Sequence, residues 1–183
     1  MQMIKKKAER NVEEFLEHRR KKRWIEQRSG SYCFKLYARS LYITWGGVEN
    51  WIWNCFKETS EENIEVAKLS HVCWLDVRGK LEISDLSTGV AYEIVYIVKL
   101  TKGATGWELP ITLRLSVPGK STKERQISLL DRAKARGEWI ELNVGSFVAE
   151  DGETGEVCFD LYEHGGHWKT GLLIQSAVIR PLP

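Results

Sequence analysis

The chain has 183 residues, 43% hydrophobic and 28% charged, the balance of a globular domain with a short appendage. Its 27 basic and 25 acidic side chains leave a net charge of +2, which excludes a strongly basic chain of histone type and an acidic disordered one. No apolar run reaches the roughly 18 residues that a membrane helix needs, and the charged opening MQMIKKKAER lacks the apolar centre of a signal peptide.

Residues 1–30 are predicted to form a basic helical N-terminal extension. Ile4, Ala8, Val12 and Phe15/Leu16 recur at helical spacing, which predicts an amphipathic helix over 4–28. Residues 1–28 carry a net +5 and the rest a net −3. The run Arg19, Arg20, Lys21, Lys22 and Arg23 reads either as a solvated docking face or as a nuclear-targeting or polyanion-binding patch. After Gly30 the period changes to two. Strands are predicted over 31–38, 41–45, 51–55, 72–78, 90–100, 111–117, 138–144, 157–161 and 171–180, separated by glycine- and proline-bearing turns. The stretch 90–100, VAYEIVYIVKL, is apolar on both faces and reads as a central strand. The charged segment 119–137 reads as a surface excursion with a helical turn. Short strands without interleaved helices predict an all-β fold, a jelly-roll-like β-sandwich over 31–183.

Catalytic and metal motifs are weak. Gly119-Lys120-Ser121 has Arg114 where a phosphate loop requires its first glycine. Glu163-His164-Gly165-Gly166-His167 is a turn, not the helix that an H-E-x-x-H zinc site depends on. Cys33, Cys55, Cys73 and Cys158 form no C-x-x-C pair and read as free thiols in a reducing compartment. These observations predict a binding module with no catalytic residue, metal or cofactor.

Eight tryptophans are more than a core of this size obviously needs. Trp45, Trp51 and Trp53 surround the Gly46-Gly47 turn. Residues 51 and 53 share one strand face and Ile52 the other, so at least one of the two indoles belongs to the core. On pattern alone these tryptophans serve either the core or a ligand, since an indole offers a flat apolar face and an N–H donor to a pyranose. Glu163 and Lys169 flank a second turn, where they form either a rim salt bridge or a pair of groups that orients sugar hydroxyls.

The string Ala38-Arg39-Ser40-Leu41-Tyr42-Ile43-Thr44-Trp45 resembles the A-R-x-L-x-I-T-W opening of the plant phloem lectin and Nictaba-related family. Val66-Ala67-Lys68-Leu69, Trp74-Leu75-Asp76-Val77, Trp139-Ile140-Glu141-Leu142, Trp168-Lys169-Thr170-Gly171 and Ile179-Arg180-Pro181 are similar to its later blocks, in order. The resemblance covers about 36–183. It implies a carbohydrate-binding lectin domain without catalysis, specific for N-acetylglucosamine oligomers (chito-oligosaccharides), N-glycan cores and glycoproteins. Carried over, the platform is Trp45 with Trp51 or Trp53, and the polar partners are Glu163 and Lys169. Trp74 and Trp139 fall in blocks that read as core. The resemblance also implies a homodimer in cytoplasm, phloem sap or nucleus; no F-box pattern precedes the lectin body, which disfavours the family's ubiquitin-ligase branch. An alternative role is structural: binding RNA or phloem filament proteins through the basic segment and through oxidisable thiols at Cys33 or Cys55.

Overall fold

The computed structural model describes residues 13–17, 20–54 and 64–183. It is an all-β sandwich of two antiparallel sheets. The strands are β1 (Glu14–Leu16), β2 (Lys21–Glu26), β3 (Ser31–Tyr37), β4 (Tyr42–Ile43), β5 (Trp51–Asn54), β6 (Val66–Leu69), β7 (Leu75–Glu82), β8 (Val90–Leu100), β9 (Ile111–Ser116), β10 (Lys123–Ile127), β11 (Ile140–Ala149), β12 (Glu156–Glu163) and β13 (Leu172–Pro181). A one-turn helix, α1 (Leu129–Arg132), follows β10, and Ser128 Oγ accepts from the Asp131 N–H at its start.

The five-stranded sheet has the order β10-β9-β12-β7-β4. In the larger sheet β13 is the hub. One of its edges pairs with β8, which then pairs with β11; the other pairs with β6 and then β3. From β7 onward most successive strands change sheets. The central-strand reading of 90–100 therefore holds residue for residue, because β8 is flanked on both sides.

Alternation decides which residues meet between the sheets. Leu75, Val77 and Leu81 of β7, Ile111, Leu113 and Leu115 of β9, and Val157, Phe159 and Leu161 of β12 are buried against Ile94, Tyr96 and Val98 of β8 and Leu142 and Val144 of β11. Gly79 is required by this packing: a Cβ there would lie 2.0 Å from the Phe159 ring. Tyr96 crosses the core and donates its hydroxyl to the Phe159 carbonyl at 2.6 Å, which satisfies a fully buried polar group.

Several expectations are corrected. Residues 14–16 and 21–26 are strands, not parts of a helix; residues 1–12 and Arg19 lie outside the described residues. Lysine and arginine favour helices locally, but β2 pairs along its whole length with β3, and this ladder overrides propensity. The excursion 119–137 contains β10, an edge strand on β9, as well as the helical turn. Segment 66–69 forms an additional strand between β5 and β13. Cys33, Cys73 and Cys158 are free, but Cys33 is buried, and burial pushes its thiol up to about 11. It is neither exposed nor activated for oxidation. Cys55 lies outside the described residues.

Candidate functional site

One end of the sandwich gathers three segments: the turn after β4, the stretch before β7, and the turn between β12 and β13. The first two are joined where the Thr44 N–H donates to the Asp76 carbonyl at 3.0 Å, one residue beyond the β4–β7 ladder. The second and third meet in the Val72–Lys169 bridge, with both N–H groups donating across it at 2.8 and 3.1 Å. Asn50 ties the first turn to the second stretch by donating from Nδ2 to the His71 carbonyl at 3.0 Å.

The tryptophans divide sharply between core and surface. Trp51 is 1% exposed and lies in the core, which removes it from any platform. Trp53, on the same strand face, is half-buried and acts as a post: its Nε1–H donates to the Gly46 carbonyl at 2.8 Å. The Arg39 guanidinium lies 3.9 Å from the Trp53 ring centroid and is itself bound by Glu65. Trp45, the residue before the Gly46 that this post holds, is 65% exposed. Its φ is +57°, a left-handed conformation that a bulky residue adopts only at a cost. Trp74, which reads as core in the sequence, is 46% exposed, and Trp168 is 61% exposed. Trp107, unassigned in the sequence, is buried in the core instead.

Beside Trp74 lies a group that sequence reasoning missed. His164 stacks on Trp74 with ring centroids 3.6 Å apart and planes 4° from parallel, and Tyr162 stacks on the same imidazole at 4.7 Å. His164 Nε2–H donates to the buried Asp76 carboxylate at 2.8 Å, while Arg78 donates to both oxygens of that carboxylate. Burial works to raise the Asp76 carboxyl, but the Arg78 and His164 hydrogen bonds outweigh it and hold the group below its ordinary range. The signal for Trp74 was present in the sequence. With Leu75 and Val77 pointing inward, period two puts residue 74 on the polar side with Asp76, Arg78 and Lys80.

Glu163 and Lys169 are together, as expected, but face inward. Lys169 is fully buried, with Nζ 2.6 Å from Glu163 Oε2; it also donates to the carbonyls of Cys73, Gly165 and His167. The ammonium thus folds the 163–169 turn around itself and ties it to residue 73. Burial raises the Glu163 carboxyl, but Lys169 and the Gly165 N–H together bring it below its usual range. Gly106, at φ +90°, completes the support: a Cβ there would meet the Trp168 carbonyl oxygen at 2.1 Å. His167 donates to the Gly106 carbonyl at 3.0 Å. The charged pair therefore sets the shape of the turn that carries His164 and Trp168.

Lys21, Lys22 and Arg23 of the basic run lie elsewhere, on β2. Lys22 pairs with Glu13 at 3.2 Å and Arg23 with Glu14, so two of its cations already face acidic partners.

The molecule is thus a two-sheet β-sandwich with an aromatic, hydrogen-bonding loop surface at one end. A family model described as phloem protein 2 matches residues 31–181, and the chain belongs to that family. It is 41% identical over 162 residues to Protein PHLOEM PROTEIN 2-LIKE A1 of Arabidopsis thaliana, covering 87% of this chain and 65% of that protein. It is 42% identical over 169 residues to a lectin of Luffa acutangula, covering 91% of this chain and 79% of the relative. It is 34% identical over 148 residues to a lectin of Coccinia grandis, covering 80% and 92%. Among solved structures, it is similar to the C-terminal CBM6 of a marine laminarinase from Zobellia galactanivorans, with a TM-score of 0.46, 14% identity and coverage of 80% of this chain and 98% of that one.

Proposed function

We propose that this protein binds carbohydrate, without turnover, through the surface formed by Trp45, Trp74 and Trp168 with His164, and that its ligands are N-acetylglucosamine oligomers. The observation that carries the reading is the exposure of three indoles on three separately anchored turns. Large exposed aromatics are costly to leave in water, and a fold that props one of them in a left-handed conformation is holding it for a purpose. Indole faces stack on the C–H faces of pyranose rings, while the Nε1–H groups reach hydroxyl and acetamido oxygens. The lectin relatives from Luffa acutangula and Coccinia grandis support the same reading.

In this reading the roles of the sequence-derived residues shift. Trp45 contacts sugar directly. Trp53 holds its turn, and Glu163 with Lys169 fixes the turn bearing His164 and Trp168. The buried Asp76 locks the imidazole that backs Trp74, so that the platform is rigid before ligand arrives and little ordering entropy is lost on binding. Calorimetric titration of chitotriose into wild type, Trp45→Ala and Trp74→Ala tests this. Binding by the wild type and its loss in both variants is expected. Equal binding by all three would overturn the site, and no binding by the wild type would overturn the ligand.

A further inference from the structure

The outer face of the five-stranded sheet carries a depression of about 470 Å³ that the loop surface does not account for. Along β12 the outward positions are 158, 160 and 162, and along β7 they are 76, 78 and 80. The floor holds Asp160, which is buried and accepts two hydrogen bonds from Arg114 at 2.7 and 2.8 Å. Arg78 is bound to Asp76 beside it, and Lys80 lies 3.5 Å from Glu156. Tyr42, 57% exposed, forms one wall, with the Lys80 ammonium 5.1 Å from its ring centroid.

Two chains of contacts link the lining of this depression to the loop surface. The Asp76 carboxylate accepts from His164 on one side and from Arg78 on the other. Arg114 lies 5.2 Å from the Tyr162 ring, which stacks on the same His164. From residue 158 to residue 164 the strip runs roughly 20 Å at the extended-strand rise, a length suited to an oligomer and not to one sugar.

We propose that this groove takes the continuation of a neutral oligosaccharide whose first rings rest on Trp45 and Trp74, so that the protein reads chain length. This rests on the carbohydrate reading above. Charge chooses the ligand. Each of the three cations in the groove is matched to a carboxylate, so a sulfated or phosphorylated chain would meet as much repulsion as attraction. A polyol needs donors and acceptors side by side, which the Arg78–Asp76 and Arg114–Asp160 pairs offer in fixed geometry. The Tyr42 ring supplies an apolar face for a pyranose.

The test is a titration series with chitobiose, chitotriose and chitohexaose against wild type, Trp45→Ala, Tyr42→Ala and Ser116→Trp, with folding checked by circular dichroism. Ser116 lines the groove, and an indole there would fill it. The wild type is expected to bind the hexamer at least about tenfold more tightly than the trimer. Tyr42→Ala and Ser116→Trp should lose that gain while keeping trimer affinity within about twofold. Trp45→Ala should lose the trimer. If trimer binding is intact but the hexamer gain survives in Tyr42→Ala, the groove assignment falls and the loop reading stands. If no oligomer binds the wild type, both fall. A heparin hexasaccharide that binds more tightly than chitohexaose, and fades steeply with salt, would overturn the neutral assignment.

Discussion

Replacing Trp45 by glycine separates the cost of the site from its use. At φ +57° an L-residue carries a penalty of about 1–2 kcal/mol that glycine does not. Glycine in turn loses about 0.5–1 kcal/mol more backbone entropy on folding than alanine. The indole is mostly exposed, so its loss removes little packing. Trp45→Ala keeps the backbone penalty, and Trp45→Gly relieves it. The glycine variant should therefore be more stable than the alanine variant by about 0.5–1 kcal/mol, a rise in Tm of roughly 1–4 °C for a chain of this size. Both should lose chitotriose binding. Differential scanning calorimetry and isothermal titration on the three proteins give both quantities. A glycine variant less stable than the alanine variant would refute the strain argument, and retained binding would refute the role of the indole.

Three further outcomes follow from the geometry. Glu163→Gln leaves the Lys169 ammonium buried without its counter-charge and should cost about 3–5 kcal/mol in urea denaturation, with Lys169→Met comparably destabilising. The Asp76 and Glu163 carboxyls titrate below their ordinary range in the folded protein, so their stabilisation is complete above about pH 5 and is lost as pH falls through the lowered values. Denaturation midpoints should fall below about pH 4, and Asp76→Asn should flatten that dependence. Gly79→Ala should cost about 1–3 kcal/mol by overpacking against Phe159, and a smaller residue in place of Phe159 should recover part of it.

The sheet body was largely legible in the sequence because its alternation is set by burial on one face. Val90–Leu100 and Ile111–Ser116 are the clearest cases. What local pattern could not supply was pairing. The segments β2, KKRWIE, and β10, KERQI, are rich in the helix formers Lys, Arg, Glu and Gln, yet are held as strands by β3 and β9. The candidate site was legible in its turns but not in its depth. Period two put Trp51 and Trp53 on one face without saying which lay deeper, and a fully buried Lys169 runs against the usual exposure of lysine. His164 was invisible because its partners, Trp74 and Asp76, lie about ninety residues away in the chain.

The most direct test is a nitrogen–proton spectrum of the indole N–H groups, assigned by single Trp→Phe variants, during titration with chitotriose. The resonances of Trp45, Trp74 and Trp168 are expected to shift, while those of the buried Trp51 and Trp107 stay in place. Saturable shifts confined to other tryptophans, or no shift at all, would contradict a sugar platform at this end of the sandwich.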